Sequence, residues 1–360
     1  MHQFIFGFDA ADPRGCAKKL RARGIDGVVL GSASPDVEEA LAAEGIELSL
    51  FFQAYALPHD AGEDMLARDI DGAPRAWFSS GCPNDRDNAQ RNLDAALKRM
   101  RATPTARRLI VDGARFASFA SPEGTDAFYT CFCPKCISAM RGYGRNPDRL
   151  IAAARALKQG GYRHELDDLW TFRQEIVEDY FQEFAEAVHG LPGHIEAGAF
   201  VFAPSLSGFV GQSMDAQCAL DWVSPMLYRA WPEAEGPACL NHELAGAFGI
   251  FGREGLETAC AIEDMLFEPD ARTPDEIRAQ GYPPERIGRE VAWARQYLED
   301  IGDLLTVSEG LFESDDGDDA RIPTLAPILQ LKDPLRDHVA KLALENGADQ
   351  IGWFAYGHDD

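Results

Sequence analysis

Four cysteines form the pattern with the clearest chemistry in this chain. Cys131, Cys133 and Cys136 follow one another in a C-x-C-x-x-C arrangement, and Cys82 lies upstream in a separate segment. Such a turn directs its sulfurs toward one point, and a fourth sulfur from a distant loop completes the tetrahedral shell that Zn²⁺ prefers. Because four soft ligands leave no open position, we predict a structural zinc site that joins the two segments.

Other uses of these thiols are less compatible with their spacing. Cys131 and Cys133 are too close in sequence to form a disulfide easily, and iron–sulfur motifs use other spacings. The remaining cysteines lie in apolar stretches and are predicted to be small buried side chains, at Cys16, Cys218, Cys239 and Cys260.

A repeated alternation of apolar runs and helical patterns predicts the elements that position these residues. The runs predict strands at 3–9, 25–31, 46–55, 107–113, 194–202, 221–228, 303–309 and 349–356. Helical periodicity lies between them, at 13–23, 35–44, 85–102, 136–158, 165–189, 240–256, 287–300 and 334–346. Strands that are apolar on both faces are typical of a buried parallel sheet. We therefore predict an α/β fold, a (β/α)8 TIM barrel that forms one domain over residues 1–360.

An open, doubly wound sheet is the alternative to the barrel. The first predicted strand is not followed by Gly-x-Gly-x-x-Gly, and the chain has no Walker-type Gly-Lys-Ser/Thr, so nucleotide binding has little support. Long connections are predicted at 56–84, 116–135 and 229–240, on the C-terminal side of the strands, where barrels build their active sites.

The charge of the chain restricts its partners. The net charge is −25, from 59 acidic and 34 basic side chains, which disfavours nucleic acids and anionic membranes and suits a neutral small molecule. The start of the sequence lacks a basic region followed by an apolar core, and no apolar run approaches about 18 residues. We expect a cytoplasmic protein with a small-molecule partner, and the sequence leaves open a homo-oligomer.

Several segments resemble a family of known enzymes. The segments Cys82–Asp85 and Leu109–Phe116 and the C-x-C-x-x-C run resemble barrel-fold glycoside hydrolases, and the cysteine pattern is similar to the zinc cluster of family 42 β-galactosidases. Segments 221–228 and 347–356 look like the sixth and eighth strands of those barrels. One departure is that the fourth predicted strand has no Asn-Glu pair, which is the usual acid/base signature of family 42.

The resemblance implies glycoside hydrolysis, which needs two carboxyl groups. Barrel enzymes place such groups at strand C-termini. Asp112 ends the fourth predicted strand and Glu309 the seventh, so we predict that these two form the catalytic pair. Glu313 and Asp9 are further candidates near the substrate, whereas Glu196, near the start of the fifth strand, is predicted to be structural.

The roles within the pair stay open. Arg115 lies close to Asp112 in sequence and could form a purely structural ion pair with it, or could orient it and lower its pKa, which favours a nucleophile. Glu309 lies in an apolar segment, where desolvation would raise its pKa and suit a proton donor.

Aromatic side chains at strand ends would complete a sugar site, because their rings match the apolar faces of sugars. With core packing as the alternative for each, the candidates are Tyr55, Tyr228, Trp231, Trp353 and Tyr356. We therefore predict a glycoside hydrolase that acts on a small neutral saccharide. The alternative is a non-catalytic carbohydrate-binding barrel. Metal-dependent hydrolysis ranks last because no His-x-His or His-Glu-x-x-His motif occurs.

Overall fold

The computed structural model describes residues 2–121, 124–231, 239–309 and 322–355, with the backbone alone described over 302–309. The strands are β1 (His2–Phe6), β2 (Gly27–Leu30), β3 (Glu47–Gln53), β4 (Ala67–Arg68), β5 (Pro74–Arg75), β6 (Ala106–Asp112), β7 (Glu196–Val201), β8 (Trp222–Pro225), β9 (Thr324–Leu325), β10 (Ile328–Gln330) and β11 (Gln350–Phe354). The helices are α1 (Pro13–Ala22), α2 (Pro35–Ala43), α3 (Arg86–Ala102), α4 (Pro134–Gly142), α5 (Pro147–Lys158), α6 (Glu165–His189), α7 (Met214–Gln217), α8 (Leu240–Ile262), α9 (Pro274–Gln280), α10 (Pro284–Glu309) and α11 (Arg336–Glu345).

One curled parallel sheet organises the chain, in the order β10-β11-β1-β2-β3-β6-β7-β8-β9. Its two edge strands, β9 and β10, are separated in sequence only by Ala326 and Pro327. The amide of Ala326 donates to Val223 on one side, and the carbonyl of Pro327 accepts from Gly352 on the other, both at 2.9 Å. This curled sheet with intervening helices is consistent with a TIM-barrel-like fold. The short hairpin of β4 and β5 lies outside it.

The two faces of the sheet carry different cores. The inner face holds a separate apolar cluster, to which Phe4, Val29, Ile110, Phe200 and Trp222 belong. Apolar side chains on the outer face pack into the large core beneath the helices. The buried apolar side chains of α6 belong to the same core. Because side chains alternate along a strand, position in the strand decides which face a residue occupies.

Most predicted elements are confirmed within a few residues, and α6 has the bounds that its apolar stripe indicated. The predicted seventh strand at 303–309 is wrong, because α10 continues through Glu309. The strand that pairs with β8 instead begins at Thr324. Apolar runs of this length fit a helix as well as a strand. In the part of the chain described above, no helix has the length and apolar character that crossing a membrane requires.

Candidate active site and metal centre

The four cysteines of the predicted metal site come together. Cys82 lies between β5 and α3, Cys131 and Cys133 precede α4, and Cys136 is in the first turn of that helix. All four are buried, and their sulfurs lie within 4.8 Å of one another. The Cys82 sulfur is 3.5 Å from the sulfurs of both Cys133 and Cys136. The juxtaposition expected from the sequence is therefore confirmed.

This donor set fits one tetrahedral ion. Zinc–sulfur bonds of about 2.3 Å place tetrahedral sulfurs about 3.8 Å apart, close to the separations seen here. All four cysteines are free thiols. The neighbouring thiols lower the pKa of Cys133 and raise the pKa of Cys82 and of Cys136, so one thiolate in the cluster is favoured before a metal is considered. The four residues could thus hold a soft divalent cation in a closed site.

A buried cation lies beside these sulfurs. Arg173, on α6, is fully buried, and its guanidinium donates to the carbonyls of Phe209, Phe128 and Thr130. Burial lowers the pKa of Arg173 to about 9, while the nearby Cys131 and Cys136 oppose that change. Four thiolates around a divalent ion carry an excess negative charge, which Arg173 would balance. No feature of the sequence indicated this role, because Arg173 lies within an apolar helical stripe.

The carboxyl ends of the strands form the mouth of the curled sheet. Gln53 ends β3, Asp112 ends β6 and Gln330 ends β10. By strand alternation from Phe51 and Ile110, the side chains of Gln53 and Asp112 are on the inner face. Among the strand ends that the structure describes, Asp112 is the one carboxylate. Gln53 supplies an amide on the neighbouring strand, and Gln330 supplies another on the edge strand β10. Gln53 and Gln330 were not among the predicted site residues, although the period of two in each strand places them on the inner face.

Aromatic rings form the floor of this mouth. The ring of Phe6 lies 4.7 Å from Phe51, 5.8 Å from Phe200 and 5.7 Å from Phe354, measured between ring centres. Tyr228 continues the cluster at 5.2 Å from Phe354. Phe6, Phe51 and Phe354 are half-buried, so they present ring surface toward the opening. We call these five residues the aromatic floor.

Two predicted aromatic residues lie at this mouth. Tyr228 is buried, and the charge of Asp112 adds to the effect of burial in raising the pKa of its phenol. The ring of Trp231 lies 5.9 Å from that of Tyr228. Asn241, at the start of α8, holds the backbone of Trp231 through both its amide oxygen and its amide nitrogen. The structure therefore brings Tyr228, Trp231 and Asp112 to one face.

Asp112 is held in a form that resists ionisation. Desolvation by burial raises the pKa of its carboxyl, although the charge of Arg115 and a hydrogen bond from the backbone of Gly113 act in the opposite direction. The charge of Arg115 lowers the pKa of Asp112, as the sequence suggested, but desolvation is the larger effect and leaves the pKa raised. A carboxyl with a raised pKa suits a proton donor rather than a nucleophile.

A second buried carboxylate, Glu243 in the first turn of α8, was missed. It accepts hydrogen bonds from the Ser118 hydroxyl at 2.8 Å and from the Ala120 amide at 3.0 Å. Burial raises its pKa, and Arg115 opposes that rise. Since its oxygens are used by the loop that follows β6, Glu243 positions that loop. Its place at the start of the helix that follows β8 was the only indication in the sequence.

Glu309 ends a helix and not a strand. It ends α10, and earlier in the same helix Arg295 already donates to Gly347, at 2.9 Å, next to the start of β11. The premise that Glu309 ends a strand is therefore wrong, because this residue belongs to α10.

Two predicted aromatic residues also face elsewhere. Trp353 is on the outer face of β11 and donates to the Gln3 side chain at 2.7 Å. Tyr55 is fully buried against Tyr180 of α6, with ring centres 5.3 Å apart. Both are core residues, in agreement with the alternative that these rings serve core packing and not sugar binding. Glu313 and Tyr356 lie outside the described residues.

The remaining acidic candidates are also placed. Asp9 is exposed in the loop after β1, where its carboxylate accepts from the Ala11 amide at 2.9 Å. It lines a cleft of about 790 Å³ on the outer side of the sheet, shared with Trp353. Glu196 is confirmed as structural, since it begins β7 and accepts from the Arg108 guanidinium at 2.8 Å.

Comparison with known proteins shows the fold. No family model and no curated protein matches this chain. A β-galactosidase from the haloarchaeon Halorubrum lacusprofundi is similar over 99% of this chain and 53% of its own, with 14% identity and a TM-score of 0.60. One from Marinomonas ef1 is similar over 98% and 54%, with 12% identity and a TM-score of 0.58.

Gan42B, a GH42 β-galactosidase from G. stearothermophilus, is similar over 98% of this chain and 51% of its own, with 10% identity and a TM-score of 0.51. The chain thus spans about half the length of these enzymes. At such low identity the similarity establishes architecture and leaves the substrate open. The chain has a glycoside hydrolase-like, TIM-barrel-like fold.

Proposed function

We propose that this protein is a glycoside hydrolase that acts on a small neutral saccharide or glycoside, with Asp112 as its proton donor. The observation that carries the proposal is the position of Asp112, a carboxyl of raised pKa at the end of β6 beside Tyr228. The aromatic floor supplies ring surface for a sugar. The net charge of −25 disfavours phosphorylated or nucleic acid ligands.

The proposal includes a complete barrel. We take β9 and β10 as one seventh strand interrupted at Pro327, with β8 on one side and β11 on the other. Closure would give eight parallel strands and one mouth, into which Asp112 projects. A single domain over residues 1–360 follows from this architecture.

The metal in the cysteine site is proposed to be zinc. The support is the closed set of four buried thiols at tetrahedral spacing. Such an ion would hold the loop after β5 to the loop before α4 and take no part in bond cleavage.

A non-catalytic sugar-binding barrel is the second candidate. It is favoured by the amides of Gln53 and Gln330 at strand ends, since either stereochemical route of hydrolysis needs a second carboxyl group. Glu243 is committed to its loop. Glu313 remains a proposed source of that group.

A panel of aryl glycosides separates the two candidates. Turnover by the parent that falls at least about 100-fold in Asp112→Asn supports hydrolysis by this acid. Saturable sugar binding by calorimetry, with no turnover of any glycoside, supports the binding barrel. Nucleotides that stabilise the protein while no sugar does so would contradict both.

A further inference from the structure

A tight turn centred on Phe78 and Ser79 lies beside the segment that follows β6. Both residues have positive φ, 48° and 58°, and the flanking Trp77 and Ser80 exchange backbone hydrogen bonds of 2.8 and 3.3 Å. This is the pattern of a type I′ turn, whose central positions favour Asn and Gly. Side chains larger than these cost about 1–3 kcal/mol each in that region, and such strain persists only where the surroundings hold it.

The ring of Phe78 holds a cation. The Arg115 guanidinium carbon lies 5.6 Å from the centre of the Phe78 ring and 4.6 Å from that of Phe202. Two aromatic rings thus contact one buried guanidinium, an arrangement that stabilises its position. From there the charge of Arg115 opposes the raised pKa of both Asp112 and Glu243.

The same turn is tied to the metal centre. Gly81 joins Ser80 to Cys82, and the Cys82 amide donates to the Met65 carbonyl at 3.0 Å. A β-carbon on Gly81 would lie 2.5 Å from that carbonyl oxygen, so the segment is closely packed. On its other side, the Ser80 hydroxyl lies 3.9 Å from the β-carbon position of Gly113, the residue after Asp112.

We propose that the metal held by the four cysteines locks the turn centred on Phe78, and that the Phe78 ring is a positioning residue that keeps Arg115 beside Asp112. The inference rests on the proposed role of Asp112. Its consequence is that metal occupancy, acting through the short link from Cys82, sets how readily Asp112 gives up its proton.

The titration of Asp112 tests the role of the ring. We would follow it by carboxyl NMR in protein with ¹³C-labelled aspartate, assigned with Asp112→Asn; the charged or titratable groups that act on Asp112 are Arg115 and Tyr228. Phe78→Ala should raise the midpoint by about 1 pH unit, because Arg115 loses one of the groups that fix its position, with Phe202 and the Phe116 carbonyl remaining.

Two matched variants control for loss of structure. Phe78→Tyr keeps the ring, and Ser79→Gly relieves the neighbouring strain, so both should keep the parent midpoint. Should Phe78→Ala fail to fold, Phe78→Leu removes the ring while filling the space and decides in the same way. An unchanged midpoint in the variant without the ring overturns the proposal.

Hydrogen exchange tests the link to the metal. After a chelator removes the ion, the amides of Gly81 and Cys82 should exchange at least about 10-fold faster, while those of β1 stay unchanged. Equal acceleration throughout the chain, or none at this segment, contradicts the proposal. Neither measurement needs a sugar, so a shifted midpoint without any glycoside turnover would reject the proposed function and retain this inference.

Discussion

Gln53 and Asp112 are partners across the parallel pair of β3 and β6. Their side chains project from neighbouring strand ends toward the same inner face, so an uncharged amide adjoins the acid. An amide neighbour can hydrogen-bond to either form of a carboxyl without the strong stabilisation of the charged form that a cation gives. This pairing is compatible with the raised pKa of Asp112 and with work as a proton donor.

The first prediction concerns Asp112 itself. Asp112→Asn should lower turnover of a cleaved glycoside at least about 100-fold, whereas Glu309→Gln, in a helix and not at a strand end, should leave it near the parent value. Comparison of kcat for the two variants checks this. Loss of turnover in Glu309→Gln with retention in Asp112→Asn would reverse the assignment.

Asp112 should also cost stability at neutral pH. The pKa of Asp112 is raised in the folded state, so its protonated form stabilises the fold. This stabilisation is fully present below the unfolded pKa near 4 and is lost as the pH rises through the folded pKa. Asp112→Asn mimics the protonated form and should therefore raise Tm at pH 7 but not at pH 3. A variant that is less stable than the parent at both pH values would contradict this.

The metal site should contain about one zinc ion per chain. Cys133→Ser should lose that ion and lower Tm by an amount on the order of 5–10 °C, because the two loops are no longer joined. Cys260→Ser, a buried cysteine outside the cluster, is the control and should retain the metal. Elemental analysis that finds no zinc in the parent removes the identification.

Neighbouring residues on β11 give a paired test of the aromatic floor. Phe354→Ala should weaken sugar binding about 10-fold, equivalent to about 1.4 kcal/mol, because a ring at the mouth is lost. Trp353→Phe, on the outer face, should leave Kd unchanged and cost about 1 kcal/mol of stability through the lost bond to Gln3. Equal effects on binding would show that the mouth is elsewhere.

The alternation of strands and helices could be predicted from sequence, and the seventh strand could not. Segment 303–309 contains Leu304, Leu305 and Val307, which suit a strand locally but extend α10. The segment that contains β9 and β10 includes Pro327, which argues against a strand because proline has no amide to donate. Here the pairing partners on both sides override the local signal.

For the site, the cysteine spacing correctly predicted that the four sulfurs lie close together. The predicted strand ends located residues along the strands but did not show which face of the sheet each side chain occupies. Trp353 and Phe354 are adjacent, and a difference of one residue decides which of them faces the mouth. Phe78 carried no signal at all, since Trp-Phe-Ser-Ser lacks the Gly, Asn or Asp typical of its turn. Contacts distant in sequence impose that conformation.

Glu263, at the end of α8, should make stability depend on pH near neutrality. Burial and the charge of Asp167 raise the pKa of its carboxyl from 4.5 to about 7, while a hydrogen bond from Gln174, at 2.6 Å, opposes the rise. The folded state therefore keeps a proton that the unfolded chain has released, so the stabilisation present below pH 4.5 is lost as the pH rises to about 7. Glu263→Gln can still accept the Gln174 bond and should raise Tm at pH 8 while leaving it unchanged at pH 4. Glu257→Gln, exposed on the same helix, is the control, and an equal gain in both variants at pH 8 would attribute the effect to net charge instead.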